Sequence, residues 1–296
     1  MNRAKNAPLP PKLIPNLGLK SRNTFGLEVS AEHAFEISHP DQIPGLMDEI
    51  ARNQWDWHVL GGGSNVILPP VLPGATLLMN IAGQEIIRED EIDTYLAVGA
   101  GVNWHELVQW TLTHNLPGLE NLALIPGTVG ATPIQNIGAY GVEVAQYIES
   151  VSAFDTQSNA FVTLSNQDCQ FAYRDSHFKQ SPNRYILTEV LFKLPKAWQP
   201  RVHYADLVKY FADQSSANPN PQAIFDAVCQ IRTQKLPDPK VIGNAGSFFQ
   251  NPIVSAEQYN TLVKQFPNIV SYPDAAGKRK LAAGWLIDQC GFKGKR

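Results

Sequence analysis

The stretch W-H-V-L-G-G-G-S-N-V-I-L-P-P, Trp57 to Pro70, decides how the first part of the chain is read. Its order suggests strand, glycine turn, strand. No helix signal follows the glycines and the spacing is not G-x-G-x-x-G, so neither a Rossmann turn nor a P-loop is indicated. A glycine run between strands can be only a tight turn. Successive backbone N–H groups in such a turn can also form a nest for an anion, and Ser64 and Asn65 add donors suited to a pyrophosphate.

Upstream, short apolar runs from Leu27 surround a helical segment around Asp41 to Asn53. Downstream, Tyr95 to Val98 reads as a strand. Asn103 with Glu106 three residues later predicts a capped helix carrying Leu107, Val108, Trp110, Thr111 and Leu112, which should stop near Asn115 because Pro117 and Gly118 follow. A second glycine-rich stretch comes next, I-P-G-T-V-G-A-T-P-I-Q-N-I-G-A-Y-G, Ile125 to Gly141. Loops this long inside a compact domain are uncommon and usually functional. Its small residues let backbone approach a flat ligand, and Thr128, Gln135 and Asn136 offer polar groups; the plain alternative is an irregular sheet crossover. Two such clamps, each after a strand-like run, suit a dinucleotide. Strand-like runs at Ile148 to Phe154, Phe161 to Leu164 and Ile186 to Phe192 predict a largely antiparallel sheet.

Beyond Lys193 a polar segment, Asp213 to Pro221, leads into a helix with the stripe Ile224, Phe225, Val228 and Ile231, capped by Asn220 with Pro221 in its first turn. Two more helices are expected, Ala256 to Phe266 and Lys280 to Cys290, the second stopped by Gly291. Between them and the capped helix lies N-A-G-S-F-F-Q-N-P, Asn244 to Pro252. The Ser247 hydroxyl, set among phenylalanines, either caps local backbone or is kept for a ligand.

The 296 residues are 44% hydrophobic and 17% charged, with 24 basic and 27 acidic groups and a net charge of −3. That is the composition of a soluble chain of two or three domains, with no basic footprint for nucleic acid or an anionic membrane. Cys169, Cys229 and Cys290 have no C-x-x-C spacing or histidine-rich partner, so they predict reduced packing residues and no metal site. Lys5, Pro8, Pro10, Pro11 and Pro15 occupy the place of a signal peptide's apolar run, which predicts a cytoplasmic protein.

Together V-L-G-G-G-S-N-V-I-L, the Ile125 to Gly141 stretch, Y-R-D-S-H-F-K, R-T-Q-K-L-P-D-P-K, G-N-A-G-S-F-F-Q-N-P and L-A-A-G-W-L-I-D-Q-C-G resemble the UDP-N-acetylenolpyruvoylglucosamine reductase family, in family order from about Asn23 to Gly294. The resemblance implies an α+β protein: a two-part FAD-binding unit of the vanillyl-alcohol oxidase (PCMH) type, residues 1–72 and 73–204, followed by an α+β substrate-binding domain, residues 205–296. It implies that Gly61, Gly62, Gly63, Ser64 and Asn65 take the FAD pyrophosphate, and that Gly127, Thr128, Gly130, Ala131, Asn136, Gly138 and Ala139 line the rest of the cofactor. No histidine lies in either loop for a covalent link, so the FAD should be noncovalent.

NADPH is the implied reductant, and a UDP-linked enolpyruvyl ether the implied small-molecule substrate. Arg174 matches the family's carboxylate-holding arginine and Ser247 its proton donor. Tyr140, Tyr204, Lys235 and Asn251 match the residues around the substrate diphosphate. Ala205 to Asn220 resembles, as an extended segment, the mobile tyrosine loop of one subgroup. The resemblance further implies a bacterial monomer without nucleic-acid or membrane partners. Family members continue several tens of residues past L-I-D-Q-C-G-F-K-G-K-R and carry a catalytic glutamate there. The expectation is therefore a substrate domain incomplete at its C-terminus, with Leu281, Trp285 and Leu286 left uncovered and turnover in doubt. Glu120, Glu143 and Glu189 belong to other motifs and are not candidates for that role.

Overall fold

The structure, a computed structural model, describes residues 10–212, 218–247, 249–292, 294 and 295. It forms two compact units, Met1–Ala245 and Gly246–Arg296.

The first unit opens with a sheet of β1 (Leu13–Gly18), β2 (Ser30–Ile37), β3 (Trp57–Leu60) and β4 (Val71–Met79) in the order β1-β2-β4-β3. β4 runs parallel to both its neighbours, and β1 pairs antiparallel with β2. Parallel strands need a crossover. Helix α1 (Ile43–Asn53) supplies it between β2 and β3, burying Ile43, Leu46 and Ile50 against Phe35, Ile37, Leu77 and Met79. Leu72 and Leu78 of β4 enter a second cluster with Leu60 and Ala34. Covered on both faces, β4 reads as a nearly unbroken apolar run.

One sequence expectation fails here. Val66 to Leu68 form no strand; β4 begins only at Val71. Pro69 and Pro70 explain this, since neither offers an N–H to a ladder and each restricts the residue before it.

The second sheet is antiparallel throughout. Its strands enter the chain as β5 (Gln84–Glu89) and β6 (Asp93–Gly99), then, after helix α2 (Trp104–Thr113) and the short pair β7 (Gly138–Ala139) and β8 (Val142–Glu143), as β9 (Ile148–Asp155) and β10 (Ala160–Ser165). A turn of helix, α3 (His177–Gln180), precedes the last strand, β11 (Tyr185–Pro195), and the order is β10-β9-β11-β6-β5. Asn103 caps α2 as expected, its Oδ1 accepting from the Glu106 N–H at 3.1 Å.

Helices α4 (Ala205–Ala212) and α5 (Pro221–Lys235) follow. They send Leu207, Phe211, Ile224, Phe225, Val228 and Ile231 into the core that also holds Leu96, Trp104, Val190 and Phe192. By packing, residues 205–245 therefore lie with the second sheet. The segment expected to be extended is in fact helix α4 over its first half, because Leu207 and Phe211, one turn apart, bury together. Asp213 to Ala217 lie outside the described residues.

The second unit holds β12 (Ile253–Val254), α6 (Ala256–Gln265), β13 (Ser271–Pro273), β14 (Arg279–Leu281) and α7 (Ala283–Gln289), with strand order β12-β14-β13. The expected helix from Lys280 begins later because Lys280 and Leu281 pair as a strand. Leu281 is buried, contrary to its expected exposure; Trp285 and Leu286 are half-buried. Of the cysteines, Cys169 is buried and Cys229 half-buried, but Cys290 is exposed and so is not a packing residue. Among the described residues no helix is long and apolar enough to cross a membrane.

Candidate active site

The two glycine loops, about sixty positions apart, pack backbone against backbone. A Cβ on Gly62 would stand 2.9 Å from the Gly127 Cα, and one on Gly61 2.6 Å from the Thr128 Oγ1. Gly63 has φ +60° and abuts the backbone of Arg22 and Asn23, so it is required on two counts. The Ser64 hydroxyl donates to the Pro126 carbonyl at 3.1 Å, and Asn65 Nδ2 to Gln135 Oε1 at 3.2 Å. With the loops so joined, the backbone N–H groups of Gly61 to Asn65, and those of Gly127 and Thr128, have no acceptor among the described residues. A joined row of free donors, four of them on glycines, fits the diphosphate of a dinucleotide. The residues present thus fit FAD.

Other members of the second loop do structural work. Gly130 is pressed against the Ala100 Cβ and donates to the Ala100 carbonyl at 2.9 Å. Ala131 closes a 3-10 turn by donating to Thr128. Gly138 and Ala139 pair with Glu143 and Val142 in the β7–β8 ribbon. Asn136 is buried at φ +42°; its amide donates to Glu143 Oε2 and the Ala172 carbonyl, both at 3.0 Å, and its Oδ1 accepts from the Ala145 N–H at 3.1 Å. Asn136 braces the loop.

The Y-R-D-S-H-F-K motif is legible residue by residue. Ala172 and Asp175 close a tight turn with Tyr173 and Arg174 at its tip, Arg174 at φ +56°. Ser176 is buried, donates to the Ile134 carbonyl at 2.7 Å and caps α3. Lys179 Nζ donates to the Arg174 carbonyl at 2.8 Å. The guanidinium therefore lies over the second loop, with Nη2 donating to the Gly138 carbonyl at 2.6 Å. Asp175 is taken by Gln180 and the Ser176 N–H, so Arg174 has no carboxylate partner among the described residues. It keeps its charge available.

Tyr140, at φ +49°, meets Tyr204 edge to face at 5.3 Å. Lys235 Nζ is 2.6 Å from Asp206 Oδ1. Beside them lies a cation that sequence reasoning missed, Arg232 of α5. Its Nη2 donates to the Leu124 carbonyl at 3.3 Å, and its Nε is buried without a partner. Burial pushes the Arg232 pKa down, opposed by Tyr140 and Cys229 and assisted by Arg174; burial likewise pushes Tyr140 up and Cys229 up to about 11. Its signal in the sequence is an arginine directly after Ile231, on the edge of the apolar stripe of α5.

In the second unit Ser247 is exposed, not enclosed by apolar groups, and its hydroxyl caps no backbone among the described residues. Phe248 lies outside the described residues, and Phe249 is exposed. Asn251 Oδ1 accepts from the Ala283 N–H at 2.9 Å, tying the chain after Ser247 to the start of α7. Of the glutamates set aside, Glu120 is buried, accepting from the Gly118 N–H and from Trp198 Nε1, both at 2.6 Å, while Glu143 holds Asn136. Among the described residues no cluster of His, Cys, Asp and Glu could hold a metal ion.

Comparison with known proteins agrees with this geometry. The FAD binding domain model matches residues 31–163, and that of the UDP-N-acetylenolpyruvoylglucosamine reductase C-terminal domain matches residues 237–296. The UDP-N-acetylenolpyruvoylglucosamine reductase of Polynucleobacter asymbioticus is 67% identical over 100% of this chain and 85% of its own length. That of Paraburkholderia phymatum is 48% identical over 95% of this chain and 82% of its own. The crystal structure of the Thermus caldophilus reductase superposes with a TM-score of 0.62 at 25% identity, covering 97% of this chain and 82% of that one. On sequence, domain content and fold, this chain belongs to the UDP-N-acetylenolpyruvoylglucosamine reductase family.

Proposed function

We propose that the chain is an FAD-dependent oxidoreductase that uses NADPH to reduce the enolpyruvyl ether of UDP-N-acetylglucosamine to UDP-N-acetylmuramate, a step of peptidoglycan precursor synthesis in the bacterial cytoplasm. The observation that carries this reading is the joined pair of glycine loops, whose row of N–H donors has no acceptor among the described residues, together with Arg174 on the Gly138 carbonyl of the second loop, which has no carboxylate partner among the described residues. FAD, held without a covalent bond, supplies a two-electron carrier between NADPH and the enolpyruvyl double bond. Gly61 to Asn65 would hold its diphosphate, and Gly127, Thr128, Gly130, Ala131, Asn136, Gly138 and Ala139 would line the rest of it.

Arg174 binds the substrate carboxylate through its guanidinium, and the charge that grows there as the double bond is reduced strengthens the pairing. Ser247 donates its hydroxyl proton to the carbon beside that carboxylate. Tyr140, Tyr204 and Asn251 bind the UDP portion by hydrogen bonds, and Lys235 supplies charge once it exchanges Asp206 for the diphosphate. The functional division is 1–72 and 73–204 for the cofactor and 205–296 for the substrate, in a monomer. The test is NADPH oxidation by the purified protein with and without the UDP-enolpyruvyl compound. Oxidation that requires this compound and forms its lactyl ether supports the reading; oxidation indifferent to it rejects the substrate.

A further inference from the structure

Leu124 opens the second glycine loop in an unusual way. It is not glycine, yet its φ is +55°, a left-handed conformation that side chains disfavour. Such a conformation persists only where surrounding contacts hold it. Here two side chains do so, one from each neighbouring helix. The Leu124 N–H donates to His105 Nδ1 of α2 at 3.1 Å, and its carbonyl accepts from Arg232 Nη2 of α5 at 3.3 Å. Two residues on, the Pro126 carbonyl receives the Ser64 hydroxyl. Gly127, whose N–H belongs to the donor row, follows directly.

We propose that His105 is a positioning residue: as a neutral imidazole it fixes the Leu124 backbone and, through it, the donor row that holds FAD. This rests on the reading of the second loop as part of the cofactor site. The hydrogen bond requires Nδ1 to be the unprotonated nitrogen, with the proton on Nε2. Protonation would set two N–H donors face to face and release the strained residue. The surroundings favour the neutral form. The ring lies flat on Phe225 of α5, at 5.4 Å and 5°. Burial pushes its pKa below the usual 6.5, Arg232 adds to that, and only Glu106 on its own helix opposes. A folded-state pKa below the unfolded one means that the clamp is fully present above the ordinary imidazole range and is lost as pH falls through the lowered value.

The experiment measures FAD affinity by flavin fluorescence between about pH 5 and pH 8, where an imidazole titrates, together with hydrogen exchange of the Leu124 amide. His105→Asn serves as the control, because the amide Oδ1 takes the place of Nδ1 and cannot be protonated in this range. The wild type should lose affinity about tenfold on acidification, the scale of one lost hydrogen bond that leaves a donor unpaired. His105→Asn should stay flat, and His105→Leu should be weaker by a similar factor at every pH. Leu124 amide protection in the wild type should fall with the affinity. Parallel pH curves for the wild type and His105→Asn, or wild-type affinity in His105→Leu, would overturn the proposal. Should the wild type bind no FAD at any pH, the cofactor reading fails instead, and the Leu124 exchange profile still decides whether the clamp exists.

Discussion

Arg174 and Ser247 come from regions built in opposite ways. Around Arg174 nearly every polar group is spoken for: Asn136 makes three hydrogen bonds, Ser176 ties its turn to Ile134, and Lys179 holds the arginine's own carbonyl. Four non-glycine residues nearby, Leu124, Asn136, Tyr140 and Arg174, are kept at positive φ. Around Ser247 the chain is exposed, and Asn251 anchors it on the Ala283 N–H. On the proposed function the braced region is the one that keeps a large cofactor in one geometry, and these hydrogen bonds would serve that. The Ser247 hydroxyl, on the same proposed function, gives up one proton and takes no part in holding the cofactor. Substitution of the groups that do the bracing, Asn136 above all, should therefore damage cofactor binding as well as turnover, and substitution at Ser247 should damage one half-reaction alone.

The largest effect is expected at Gly63→Ala. Its Cβ would meet the Arg22 backbone at a positive φ, so the first loop must shift off Arg22 and Asn23 and carry its part of the donor row with it. Flavin content after purification should fall to near zero; a fully loaded variant would show that the short loop is spare. Next is Ser247→Ala, for which reoxidation of the reduced flavin by the enolpyruvyl substrate should slow about 10²–10⁴-fold, the usual scale of general acid catalysis, with reduction by NADPH nearly unchanged. Equal slowing of both steps, seen by stopped flow, would erase the distinction between the regions.

Much of this is readable from the sequence, for local reasons. Asn103 and Asn220 announce their helices because a cap is a three-residue event, and both do cap, Asn220 at 2.8 Å from the Ala223 N–H. The strands of the antiparallel sheet show as short β-branched runs. What escapes depends on distant partners. His105 and Arg232 become visible only when 19 and 108 positions of chain are folded back onto Leu124. Helix α4 is hidden because its apolar pair, Leu207 and Phe211, is too short a pattern to declare a helix next to a polar segment. The glycines announce a turn between strands, but that Gly61 and Gly62 are needed for one loop to touch the other is a tertiary fact.

Arg174→Lys should have a smaller effect than either. A lysine keeps the charge but cannot hold the Gly138 carbonyl and a carboxylate in one planar fork. Substrate-dependent turnover should drop about 10²-fold, the order of one lost oxyanion-type donor, with flavin content retained; unchanged turnover would remove Arg174 from the carboxylate. The smallest effect belongs to Lys235→Met. Its ion pair with Asp206 is a largely solvated one, so stability should change by less than about 1 kcal/mol. The expected change is a rise in KM for the UDP substrate with little change in kcat, read from steady-state rates.

On the proposed function one FAD is held by the two joined loops without a covalent bond. Native mass spectrometry of the purified chain tests it most directly, compared with the same sample denatured in acid. The expected result is a native species heavier than the chain by one FAD and a denatured species with the mass of the bare polypeptide. A native chain that carries no flavin even after incubation with FAD, or a flavin mass that survives denaturation, would contradict it.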